Sequence, residues 1–370
     1  MPSLLERLSP TRIFLELPSE FAPWIEWLGD ADALGVARRR YEPLSGRKLW
    51  GVCCEAVVSD AGYAGVVTWL CDAGGRLYTL PDVMPGAPER ARAAYRAGVE
   101  LGEVVLSHAE LARRGVVLSE GRVSADGRLG RGKSVHAASA GSASWDAPPL
   151  ADLWGPLEAQ AEARRALLCF EGVAVGRSGD AVVMDTGGRL VRVLGGLARY
   201  RVGGLPLRLV AQARPNQPRT VRALAFGPAG DGFHLPETWG GRVNLGLDEL
   251  KQAQVDGAAL PFMEWAPPAD PLEPLRIRLN RGVVGGRVAI AAGGHAARRE
   301  AARLRGRLMP TASALVDELQ RTAEEVPRDL RGARLPGAPQ QLAQAWLAAA
   351  LFEREATQHR VRRAWAPGPA

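Results

Sequence analysis

The sequence predicts a mixed α/β (α+β) protein in three successive parts, and three observations predict it. Runs of strand-like residues cut by Asp- and Gly-containing turns stand in the first 145 residues. Five short strand-like runs crowd the stretch from 166 to 226. Helical spacing of apolar residues fills most of the last hundred residues. The expected domains are therefore 1–145, an α/β domain with a three-stranded meander; 150–265, a helix plus a small antiparallel β-barrel; and 270–370, a basic, mainly helical region.

In the first part, Arg12 to Leu17 reads as a strand and Ser19 to Leu28 as a helix. The meander is Leu49 to Ser59, Tyr63 to Cys71 and Arg76 to Leu80, rich in Val, Trp, Tyr and Thr. Its turns are Asp60-Ala61-Gly62 and Asp72-Ala73-Gly74-Gly75, which supply the tight backbone geometry. Pro88 to Val99 reads as a helix. Ser107-His108-Ala109-Glu110 is a capping box, in which hydroxyl and carboxylate each satisfy an end amide, with the helix stopping near Gly115. His108, inside that box, is expected to face solvent.

The Gly/Ser stretch from Gly141 to Pro149 separates the next part. Leu150 to Arg165 reads as a helix. The strands follow at Ala166 to Gly176, Asp180 to Thr186, Arg189 to Gly195, Leu205 to Arg214 and Thr220 to Phe226. Such spacing suggests a small barrel, of which the OB-fold is one form; the count fits other small barrels equally. A helix is expected at Leu247 to Val255. In the last part Leu275 to Leu279 and Gly286 to Ala292 read as strands, followed by helices His295 to Arg307, Thr311 to Glu325 and Gln340 to Arg363. The strand-turn-helix spacing at Arg287 to His295 is a second, weaker candidate for an anion site.

At 370 residues, 46% hydrophobic and 24% charged, the chain has an ordinary globular composition. Its basic residues are three lysines (Lys48, Lys133 and Lys251) and 44 arginines, which reads as a GC-rich bacterial coding bias. Charge position is more informative than its total. Pro271 to Ala370 holds 17 arginines against 9 carboxylates, a net of +8, while the other 270 residues hold 30 basic and 31 acidic side chains, a net of −1. That quarter can draw a polyanion or an acidic protein, although a solvated helical surface gives the same count. The expected contact residues are Arg276, Arg278, Arg281, Arg298, Arg299, Arg303, Arg305 and Arg307, with Arg354, Arg360, Arg362 and Arg363 from the tail.

Gly127-Arg128-Leu129-Gly130-Arg131-Gly132-Lys133-Ser134 fits the phosphate-loop pattern G-x-x-x-x-G-K-[ST]. There, amides cradle phosphates, Lys reaches their oxygens and Ser holds magnesium; Asp185, ending the apolar run Val182 to Met184, would be the second magnesium ligand. The context speaks against it. A phosphate loop leaves a buried parallel strand, but Arg122 to Asp126 are mostly polar, and Gly141, Ser142, Ser144 and Pro148 curtail any helix behind it.

Other chemistry is sparse. Cys53, Cys54, Cys71 and Cys169 form no C-x-x-C pair and read as reduced, buried thiols of a cytoplasmic protein, with Cys53 and Cys54 on opposite strand faces. The five histidines lie apart, His234 with Glu237 being the nearest thing to an acid–base pair. No signal peptide and no membrane-length apolar run is expected. Tryptophans in and beside the linkers (Trp145, Trp154, Trp239 and Trp265 among them) suit burial by domain packing or by a partner. The sequence thus predicts a non-catalytic, cytoplasmic adaptor or scaffold subunit without cofactor. Its basic end would bind an acidic protein or nucleic acid. The alternative is an enzyme binding Mg-ATP or Mg-GTP through Gly127, Gly132, Lys133, Ser134 and Asp185.

Overall fold

The computed structural model describes residues 40–59, 62–131, 135–163, 165–214, 217–265, 270–325 and 338–365. The strand and helix expected at 12–17 and 19–28 lie outside the described residues. The chain divides into two compact units, one built on Arg38–Arg214 and Pro218–Pro267, the other on Pro268–Arg363. The described residues are mixed α/β with seven α-helices and a closed five-stranded barrel.

The first unit opens with the expected meander: β1 (Tyr41–Val58), β2 (Tyr63–Asp72) and β3 (Leu77–Pro85). It continues with α1 (Arg90–Arg96), the hairpin β4 (Gly98–Leu101) and β5 (Val104–Ser107), α2 (His108–Leu111), β6 (Arg114–Ser124) and β7 (His136–Ser142). The sheet runs β3-β2-β1-β6-β7, antiparallel throughout. One side carries Leu49, Leu70, Tyr78, Leu80, Val116 and Leu118 into a core with the β4–β5 hairpin. Gly51 is where α2 comes closest: a Cβ there would sit 2.0 Å from the Leu111 carbonyl oxygen, so only glycine fits. The helix expected over Pro88 to Val99 is shorter, because Ala97 is already extended and Gly98 to Leu101 pair with Val104 to Ser107. The capping box forms as expected.

After α3 (Leu157–Glu162), where the expected helix Leu150 to Arg165 is reduced to a 3₁₀ turn and six residues, come β8 (Leu168–Ser178), β9 (Ala181–Asp185), β10 (Leu190–Leu194), β11 (Pro206–Ala213) and β12 (Thr220–Pro228). Gly155-Pro156 breaks the helix. All five strands start and stop within two residues of their expected positions, since each is a short apolar run closed by a turn. Antiparallel pairing runs β10-β9-β8-β11-β12, and parallel pairing of β10 with β12 closes the barrel. The two-residue β13 (Val243–Asn244) adds to β12. Sheet and barrel share a core of Val52, Cys53, Cys71, Trp145, Leu150, Cys169 and Val210. The helix expected at Leu247 to Val255 is absent apart from a 3₁₀ turn at Gln252–Gln254. Asp248 there is drawn inward, 2.6 Å from Arg113.

The second unit consists of α4 (Glu273–Ala291), α5 (Gly294–Gly306), α6 (Pro310–Glu324) and α7 (Ala338–Trp365). The two strands expected at 275–279 and 286–292 are instead one helix, α4, kinked at Gly286 (φ 58°, ψ −152°). Its buried residues Leu275, Arg278, Leu279, Gly282 and Ile290 follow helical spacing, but a buried arginine among them masks the apolar stripe. The strand-turn-helix anion site at Arg287 to His295 therefore does not form. No helix of the described residues is long and apolar enough to cross a membrane.

Candidate partner-binding surface

Helix α5 turns Ala297, Ala301 and Leu304 into the core, at the 4- and 3-residue steps of one helical face. Arg298, Arg299, Arg303, Arg305 and Arg307 are exposed. The only carboxylate of the helix, Glu300, points the other way: its Oε2 accepts from Arg278 Nε at 3.1 Å and Nη2 at 2.7 Å. Arg278 is 0% exposed and donates also to Gln320 Oε1 (2.7 Å) and to the carbonyls of Ile290 and Gly293. The inward pull on Glu300 leaves the outer face of α5 without a carboxylate of its own. Arg298, Arg299 and Arg303 make no ion pair among the described residues. Arg305 lies 3.4 Å from Asp317, both side chains being exposed, which is a weak, screened contact.

The structure divides the expected arginine set. Arg278 is buried. Arg276 bridges Asp270 (2.5 Å) and Glu353 (2.6 Å), and Arg360 pairs with the same Asp270. These three tie α4 to α7 and to the chain just before α4, and are structural. Arg362 and Arg363 are exposed at the end of α7, and Arg354 is engaged by neighbouring Glu355. Sequence spacing could not make this division, because Glu300 lies 22 positions from Arg278, Glu353 77 from Arg276, and Asp270 90 from Arg360. A finer count would have shown one further feature: Leu168 to Pro228, the barrel strands and their turns, hold nine arginines and three carboxylates.

Around the phosphate-loop pattern, β6 is antiparallel to both neighbours. Gly127 sits in a turn at φ 79°, its amide donating to Ser124 O and its carbonyl accepting from Thr79 N at 3.0 Å. Leu129 N donates to Thr79 O, so the Gly127 amide is spent within its turn and the Leu129 amide on pairing with β3. Gly132, Lys133 and Ser134 lie outside the described residues; a strand, β7, follows at His136. Asp185 closes the β9–β10 hairpin on the barrel, accepting from Gly188 N at 2.6 Å.

His108 is 0% exposed, contrary to the expectation that it faces solvent. The cap fixes its backbone, but the ring turns under the sheet. Thr68 Oγ1 lies 2.7 Å from its Nδ1 and 3.5 Å from Cys54 Sγ, while Nε2 has no hydrogen-bond partner among the described residues. Burial lowers this imidazole to about 4, and burial pushes the Cys54 thiol upward, so the pair holds neither a ready base nor a thiolate. All four cysteines are free and buried, Cys53 facing the barrel core and Cys54 the helices. Cys169 borders a cleft of about 470 Å³ beside Gly74, Gly75, Asp152 and Arg165, and burial raises it to about 12. His234 pairs with exposed Asp256 at 2.7 Å rather than with Glu237. Trp145 is buried between sheet and barrel, its ring centroid 5.0 Å from that of Trp154, a burial supplied by the chain itself.

What this fold defines is a mixed α/β protein whose one unit closes a barrel and whose other unit sets a row of arginines outward. No family model matches the chain, and no curated protein or solved structure matches it.

Proposed function

We propose that the chain is a non-catalytic, cytoplasmic adaptor or scaffold subunit of a bacterial assembly, binding an acidic partner through the basic outer face of α5. One observation carries this reading: five exposed arginines stand on and just after a 13-residue helix whose lone carboxylate is turned inward. Arginine forks onto carboxylates and phosphates, and a one-signed patch speeds encounter with an opposite one. The barrel is read as OB-like, because its order β10-β9-β8-β11-β12 closed by parallel β10–β12 is that of a five-stranded Greek-key barrel. On this reading the barrel is framework.

The test is fluorescence anisotropy of labelled poly-glutamate with the full chain. Binding is expected at low salt and should weaken as salt rises, with the double reversal Arg299→Glu/Arg303→Glu lowering affinity about 100-fold. An unchanged affinity in the double variant would sink the reading. Stabilisation by Mg-ATP or Mg-GTP that Lys133→Ala removes would favour the nucleotide-enzyme alternative instead.

A further inference from the structure

Helix α5 ends in an arrangement with a misplaced residue. Leu308 N donates to Arg305 O and Met309 N to Leu304 O, the paired bonds of a Schellman cap, and Met309 packs back on the core beside Leu304. The cap requires a left-handed residue at 308, a place glycine fills without strain. Here it is leucine, at φ 58°, one of two non-glycine residues with positive φ among the described residues. Its side chain is 90% exposed. The chain thus accepts backbone strain at this position and gains no buried contact from the side chain. Strain of this kind points towards function rather than stability.

Leu308 adjoins the arginines. At 100° per residue, Arg299, Arg303 and Arg307 rise along one side of the outer face in steps of about 6 Å, and Arg298 and Arg305 line the other side two turns apart. Between the rows lie Ala302 and Gly306, both exposed, with open space above Gly306. The result is a shallow track of small residues flanked by guanidinium groups, with an apolar knob at its C-terminal end. A phosphate backbone would use the rows and leave Leu308 in water. No Trp, Tyr or Phe stands on α5 to stack a base; its one ring is that of exposed His295, at the N-terminal end of the helix. An acidic peptide satisfies both features.

We propose that α5 and Leu308 form a docking strip for an acidic peptide segment ending in an apolar side chain, its carboxylates between the arginine rows and that side chain against Leu308. This rests on the reading of α5 as the partner surface and names the partner's chemistry.

The experiment uses the full chain and three labelled probes: a 12-residue glutamate-rich peptide ending in Leu-Leu, the same peptide ending in Ser-Ser, and an oligothymidine of equal charge. The Leu-Leu peptide should bind about tenfold tighter than the Ser-Ser peptide. Leu308→Gly should abolish that difference and raise Tm by about 2 °C, since glycine relieves the left-handed strain. A packing role for Leu308 would lower Tm instead and overturn the proposal. Equal binding of both peptides would also overturn it, while leaving the arginine reading standing. Oligothymidine binding tighter than either peptide would replace the partner class with nucleic acid. If no probe binds, the reading of α5 itself fails.

Discussion

The two units hold their most deeply buried arginine by different means, although the sheet–barrel unit also buries the ion pair of Arg113 with Asp248. In the sheet–barrel unit, Arg242 is 0% exposed and pairs with no carboxylate among the described residues. Its guanidinium donates to the carbonyls of Gly51 (2.7 Å), Ala112 (2.9 Å) and Ala143, and stands 5.0 Å from the Trp145 ring centroid. Burial lowers it to about 9. In the helical unit, Arg278 is equally buried, yet Glu300 compensates it at 2.7 Å. Arg276 likewise finds two carboxylates. One unit holds its cation with backbone dipoles and an aromatic face, the other with ion pairs. The difference bears on the surface charge: Glu300, the one carboxylate of α5, is taken up by Arg278, and the arginines on the outer face of that helix are left without it.

The sharpest way to break the comparison is Arg242→Met. Methionine fills much of the volume but leaves carbonyls of three segments without their donor. The expected loss is about 4 kcal/mol in urea unfolding. A loss under about 1 kcal/mol would mean that those carbonyls find water or other donors, and the contrast between units would vanish.

Glu300→Gln should cost less, about 2–3 kcal/mol, because Gln320 and two carbonyls still hold Arg278 after its counter-charge is gone. The variant should still bind poly-glutamate, since Glu300 faces inward. Weakened binding would show that the pair also positions the arginines of α5.

A pH series sharpens the sheet–barrel side. His108 titrates at about 4 in the folded chain against about 6.5 when unfolded, so between those values the unfolded chain holds more protons. Stability should therefore fall as pH drops from about 6.5 to about 4, and level off below, with a total of about 3 kcal/mol. The difference between the chain and His108→Gln, measured by urea midpoints at pH 7.5, 5.5 and 4.5, isolates this group. A difference independent of pH would place the ring in water after all.

Much of the fold was legible. The barrel strands, the meander, the Ser107 cap and helices α5, α6 and α7 all announce themselves in periods of two or 3.6 and in turn residues. Legibility failed where a polar side chain occupied a core position. Arg278 broke the stripe of α4 and suggested strands. Asp248, pulled to Arg113, removed a short helix. His108 read as solvent-facing because its neighbours in sequence belong to a cap, whereas its hydrogen-bond partner, Thr68, belongs to a strand 40 positions upstream. The arginine surface was half legible: the excess showed in the count, the division between buried and exposed did not.

By itself the sequence determined the order and kind of most elements and the arginine surplus of its last quarter, because periodicity, turn chemistry and composition act over a few neighbouring residues. Only the tertiary structure decided which arginines are framework and which are surface. That choice depends on carboxylates, carbonyls and rings brought together from distant positions, where desolvation and pairing act across space and leave no mark in the local pattern.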